Sequence, residues 1–180
     1  MINSTILVGE QIILKNISEF DVTQNYINWL LDPHINCYLD LRWEQHTIRS
    51  VKEYISFLNK SENNEIFGLF SKSNNEHIGN LKIGLISHIN LTAEIGLLIG
   101  EKSYWNRNIA TEAIFLATNY AFNVLKLNKL HAFVYEYNIG SLKIFMKNGY
   151  KVVGTYKKHV RFENSFIDLI LVEKLSENII

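Results

Sequence analysis

The chain has one cysteine, one proline and no surplus of charge: 18 basic residues stand against 18 acidic ones among 180. A lone thiol, Cys37, excludes an internal disulfide and fits a reducing compartment, so a cytoplasmic location is expected. Zero net charge argues against a nucleic-acid partner, which would demand a basic bias. No run approaches the ~20 apolar residues of a membrane span, so no membrane partner is expected. The opening MINSTILVGEQIIL sets no basic residue before its apolar ones and does not read as a secretory signal. The six histidines lack the i, i+4 spacing of a zinc helix and no cysteine pair accompanies them, so no metal is expected. Repeats, Pro/Gly linkers and low-complexity tracts are missing too. A single domain over residues 1–180, with its core at about 10–175, is therefore expected.

What is present is periodicity. EQIILKNI (10–17) reads as a strand, and Val22, Tyr26, Trp29 and Leu30 then fall at helical spacing until Asp32-Pro33 stops them. A second helix starts after Thr47 as N-cap, with Ile48, Val51, Ile55 and Leu58 on one face. Strands follow at 65–72, 77–87 and 93–100, the first two joined by the turn SNNE. A long helix carries the stripe Ala110, Ala113, Ile114, Ala117, Ala121, Val124 and Leu125. Next come a strand at 129–135, a short helix from Ser141 to Asn148 closed by Gly149, and a hairpin from 150–156 and 166–175. Strands 93–100 and 129–135 flank the long helix and should run parallel through a right-handed crossover. The fold class is α/β (α+β): a mixed, mostly antiparallel central sheet with helices on both faces.

Four segments of this pattern carry a resemblance that spans about 10–175. WLLDPHINCYL (29–39) resembles a W-L-N-D-P segment between the first two helices. AEIGLLIGEKSYWNRNIATEA (93–113) resembles an acetyl-CoA motif, YEYNIGSLKIFMKNGY (135–150) an N-x-x-S…G-F segment, and HVRFENSFIDLIL (159–171) a C-terminal hairpin. Together and in this order they resemble the GNAT family of N-acetyltransferases, in the branch acting on ribosomal proteins, polyamines and amino sugars. The resemblance implies that fold, acetyl-CoA as co-substrate and an amine acceptor. It also admits a homodimer, since dimers are common in the family.

A pyrophosphate needs N–H donors converging at a helix N-terminus. Trp105, Asn106, Arg107, Asn108, Ile109 and Ala110 supply them, Thr111 adds a hydroxyl and Arg107 a cation. The family pattern has glycine where this chain has Asn106 and Asn108. Asparagine is the non-glycine residue that best tolerates positive φ, so the turn should survive, with a Cβ crowding the phosphate approach. By the resemblance, Leu97, Leu98 and Ile99 offer backbone groups to the pantetheine arm, and Asn138 contacts the cofactor or an ordered water.

Acetyl transfer needs a neutral amine, although alkyl amines titrate at about 8–10. Glu94, on the cofactor-binding strand, is the expected base. Many relatives carry an acidic tyrosine where this chain has Phe145. Ser141 is then the expected acid, with Tyr135, Tyr137 and Tyr150 as nearby alternatives. Tyr38, Arg42 and Trp43 are expected to line the acceptor side, and His77 and His88 to lie on or beside strands facing the cleft, His88 as a substrate contact. Asp168 matches an aspartate common in the branch, with its role open. The leading expectation is N-acetylation of a small-molecule amine, an amino sugar that is often nucleotide-linked. A protein N-terminus or a polyamine comes next. Phe145 and the missing glycines keep a non-catalytic acyl-CoA-binding module open.

Overall fold

A computed structural model describes residues 5–177. Eight strands form one sheet: β1 (Ile6–Val8), β2 (Ile12–Asn16), β3 (Glu65–Ser71), β4 (His77–Ser87), β5 (Thr92–Ile99), β6 (Lys129–Tyr135), β7 (Lys151–Phe162) and β8 (Ser165–Leu175). Their order is β1-β2-β3-β4-β5-β6-β8-β7. Only β5 and β6 pair parallel; the other pairs are antiparallel. The helices are α1 (Gln24–Leu31), α2 (Pro33–Asn36), α3 (Ile48–Lys60), α4 (Ile109–Asn123) and α5 (Ile139–Lys147).

Alternation along the strands separates two cores. In β3, Phe67 and Leu69 join the cluster beneath α4 and α5, whereas Ile66 and Phe70 join the one beneath α1 and α3. The alanine stripe of α4 seats Ala113, Ala117 and Ala121 at 0% exposure, so the helix lies close to the sheet. A third, smaller cluster of Tyr135, Val160, Ile167 and Leu169 ties the β7–β8 hairpin to Tyr38.

Several local expectations shift. β1 is an additional strand, three residues long and paired with β2. Val22 precedes α1, whose cap is Thr23. Pro33 ends α1 and opens α2, because Asp32 caps the new turn by accepting from the His34 N–H. Ile48 and Val124 lie on exposed faces rather than in the stripes assigned to them. Gly149, at φ 81°, closes α5 as expected, with its N–H to Met146 O and the Tyr150 N–H to Phe145 O.

Candidate active site

The site starts where two strands part. β5 pairs with β6 only at Thr92↔Lys129, Ala93↔Leu130 and Glu94↔His131. Beyond Glu94 the strands diverge and leave one edge of β5 open. The Gly100 N–H bonds Ile78 O, and hydrogen-bonded pairs alternate along an antiparallel ladder. Leu98 therefore turns its backbone groups toward β4, while Leu97 and Ile99 turn theirs to the opened edge. Of the three residues expected to offer backbone groups there, Leu98 does not. Ile99 offers only its N–H, because its carbonyl accepts from Trp105 Nε1 at 3.0 Å.

The loop after β5 holds the bend that the asparagines were expected to tolerate. Asn106 and Asn108 adopt φ of 60° and 62°. Among the described residues, no hydrogen bond takes the N–H groups of Asn106, Arg107, Asn108, Ile109, Ala110 or Thr111, whereas that of Trp105, expected among the donors, is taken by Lys102 O at 3.0 Å because Trp105 closes the short turn before the loop. They gather at the N-terminus of a 15-residue helix, where backbone dipoles favour an anion. These donors and the open strand edge fit the pyrophosphate and the amide-bearing arm of CoA.

Braces hold this loop that the sequence did not reveal. The Glu112 carboxylate accepts from the backbone N–H groups of Glu10 and Gln11, fastening α4 to the β1–β2 turn. Gln11 Nε2 donates to Arg107 O at 3.3 Å, and the Arg107 guanidinium lies 5.7 Å from the Tyr104 ring. Trp29 Nε1 donates to Glu101 at 3.0 Å. A side chain at Gly100 would strike the Trp29 ring at 2.0 Å, so only glycine lets α1 approach there.

At the start of α5, Asn138 is the cap: its side-chain oxygen accepts from the Ser141 N–H at 3.1 Å. Ser141, expected to open the helix, sits within its first turn and its hydroxyl has no capping duty. Phe145 is buried against Tyr150. Tyr150 faces Thr118 Oγ1 at 2.9 Å inside the core, where burial raises its pKa.

The acceptor-side residues are tied to one another. Arg42 Nη1 donates to Leu39 O at 2.7 Å and to the Tyr135 hydroxyl at 2.8 Å, and Nη2 donates to Arg161 O at 2.6 Å. The Tyr135 hydroxyl in turn donates to Asp40. Burial, followed by that carboxylate, pushes the Tyr135 phenol up to about 12, against the pull of Arg42. Arg42 is thus a clamp joining three segments rather than a free cation for a ligand. Tyr38 stacks on Phe162 at 5.8 Å and donates to Tyr137 O at 3.3 Å. Trp43 is exposed, with Arg42 4.8 Å from its ring.

Both singled-out histidines lie on or beside β4 as expected, and the protein itself engages the ring of each. His88 lies in the β4–β5 turn with Nε2 on Glu62 O at 3.0 Å. His77 packs among Tyr26, Trp29 and Phe70 and bonds Gly79 O and Asn80 Oδ1, and burial pulls its pKa down. Asp168 acquires a role: it accepts from the Lys158 N–H at 2.9 Å and pairs with Lys157 at 2.6 Å, stitching the bulge in β7.

A mixed sheet splayed beside a helix N-terminus of free N–H groups is the architecture of an acyl-CoA-dependent transferase. The family model for the acetyltransferase (GNAT) domain matches residues 11–151, and the chain belongs to that family. Its class is N-acetyltransferase, with acetyl-CoA as co-substrate. It is 33% identical over 121 residues to the probable N-acetyltransferase YjcK of Bacillus subtilis, covering 67% of this chain and 66% of that protein, just under two thirds of its length. It is 25% identical over 146 residues to the uncharacterized N-acetyltransferase p20 of Bacillus licheniformis, covering 80% and 82%. In fold it is similar to the spermidine N-acetyltransferase of Vibrio cholerae solved with CoA and spermine (TM-score 0.83, 18% identity, 93% and 97% covered). No helix among the described residues is long and apolar enough to cross a membrane.

Proposed function

We propose that the chain acetylates the primary amine of a small, ring-bearing acceptor, an amino sugar being the best fit. One observation carries this reading: the acceptor side is rich in aromatic rings, and of its acidic groups Asp40, Asp168 and Glu173 are already engaged, which leaves Glu94 as the unpaired carboxylate. Tyr38, Tyr135, Tyr137 and Phe162 contact one another, and Phe133 and Tyr156 form a second exposed pair. Asp40 is held by Tyr135, Asp168 by Lys157 and Glu173 by Lys129. Rings suit the apolar faces of a sugar, whereas a polycation wants unpaired carboxylates. The chain's likeness to spermidine acetyltransferases keeps polyamines as the second reading.

In this reading the N–H groups of residues 106–111 hold the pyrophosphate, and the edge at Leu97 and Ile99 holds the pantetheine arm. Acetyl-CoA supplies an activated thioester. Glu94 takes a proton from the acceptor's ammonium, and the Ser141 hydroxyl gives one to the departing sulfur. The test is CoA release with glucosamine, a nucleotide-linked amino sugar, an N-terminal peptide and spermidine. The expected result is turnover on a sugar amine; turnover on spermidine alone overturns the acceptor reading. Glu94→Gln should lower kcat at least ~100-fold at neutral pH. Cofactor binding without turnover on any amine would make the chain an acyl-CoA-binding module.

A further inference from the structure

The mechanism uses no histidine, and the sheet sets one of the six beside the base. His131 registers opposite Glu94 at the last rung before β5 and β6 part. The neighbours of both residues along the strands, Ala93, Ile95, Leu130 and Ala132, point into the core beneath α4. Glu94 and His131 therefore project together from the opposite face, on strands about 4.8 Å apart. Both are half-buried. The floor beside them is open: Gly96, next on the same face of β5, is exposed, and a Cβ there would meet nothing within 4 Å.

We propose that His131 carries away the proton that Glu94 accepts, so that the two work as a relay. This rests on the reading of Glu94 as base. An ordinary carboxyl titrates about 4 units below an α-amine, an imidazole only about 1.5, so an imidazole is the better proton store at neutral pH. The acceptor's ammonium passes one proton to the Glu94 carboxylate, which hands it to the His131 ring for release to water. The neutral amine then forms the C–N bond, the thioester C–S bond breaks with its electron pair on sulfur, the Ser141 hydroxyl protonates that sulfur, and the second amine proton returns to Ser141. His131 is a positioning and relay residue acting through Glu94.

The charged surroundings are compatible with this role. On β8, Glu173 registers with His131 but is paired with Lys129 at 3.3 Å. Lys151 of β7 registers with Glu173, and Lys82 of β4 registers with Gly96 and reaches Tyr54. Among the described residues Glu94 has neither a salt bridge nor a side-chain hydrogen bond, and none to the His131 ring, so the proton passes between the two neighbours through a bridging water.

Two readouts test the relay. The first is the NMR titration of the His131 imidazole in the wild type and in Glu94→Gln. A midpoint that falls when the carboxylate is removed is expected; one that does not move overturns the coupling. The second is the pH profile of kcat/KM with the amine of highest turnover from the panel, glucosamine being the expected one. His131→Gln, and His131→Asn should the first variant fold poorly, are expected to lose the limb in the imidazole range and at least ~10-fold in rate at pH 7. An unchanged limb overturns the relay. Loss of rate in Glu94→Gln with none in the His131 variants leaves Glu94 as a lone base and defeats only the relay. No loss in either defeats the base assignment as well.

Discussion

At the level of single residues, the two asparagines in the loop before α4 show how a glycine position can be filled. An L-residue at φ near 60° costs about 1–2 kcal/mol, least for asparagine, whose short polar side chain suits that region. The loop is also braced by Gln11 and Glu112 from outside and by Trp105 from within, which hold the bend by contacts rather than by glycine's freedom. Asn108→Gly should leave stability within a few tenths of a kcal/mol and tighten CoA by removing the crowding Cβ. Asn108→Ala should cost about 1 kcal/mol of stability. Urea denaturation and calorimetric CoA titration of both variants check this. His77 is the other instructive residue. Its imidazole is depressed below the ordinary 6.5 by burial, so the unfolded chain binds its proton first on acidification. The stability it contributes is present above pH 6.5 and is lost as the pH falls toward the folded-state value. Urea midpoints at about pH 7.5 and 5.5 should therefore differ, and His77→Gln should reduce that difference.

At the level of elements, α5 separates a structural polar residue from a reactive one. A serine near a helix start is usually its cap, but here Asn138 holds that position and Ser141 lies within the first turn. Asn138→Ala should lower stability by about 1 kcal/mol, a fall in Tm of roughly 2–4 °C for a chain of this size. Ser141→Ala should leave Tm unchanged and lower kcat at least ~10-fold if its hydroxyl serves the departing sulfur. Thermal melts beside steady-state rates distinguish the two roles. Strand patterns and the alanine stripe of α4 were legible because periodicity is a local property. Ile48 and Val124 were misplaced for the same reason: spacing marks a face but not how far the partner surface extends. Arg42 was legible as an acceptor-side residue but not as a clamp, since its partners Tyr135 and Arg161 lie far along the chain.

At the level of the whole molecule, the cofactor should be a stabilising ligand because its donors already stand arranged in its absence. Acetyl-CoA at 100 times Kd should add about 2.7 kcal/mol, a rise in Tm of roughly 5–10 °C. A melt at millimolar cofactor that shows no rise would mean the asparagine loop has lost the pyrophosphate.

By itself the sequence determined the order and type of the main elements, the family, and the window 106–111 whose N–H groups stand free at the start of α4. Hydrophobic periodicity, turn chemistry and motif spacing act over a few residues and are written in a line. Only the tertiary structure decided that β5 and β6 part after Glu94, that Leu98 turns its backbone away from the opening, that Arg42 is consumed as a clamp, and that His131 lies beside Glu94. Those outcomes depend on register between strands separated by a helix. Register is set by how α4 packs across the sheet, a balance of many distant contacts that no local pattern records.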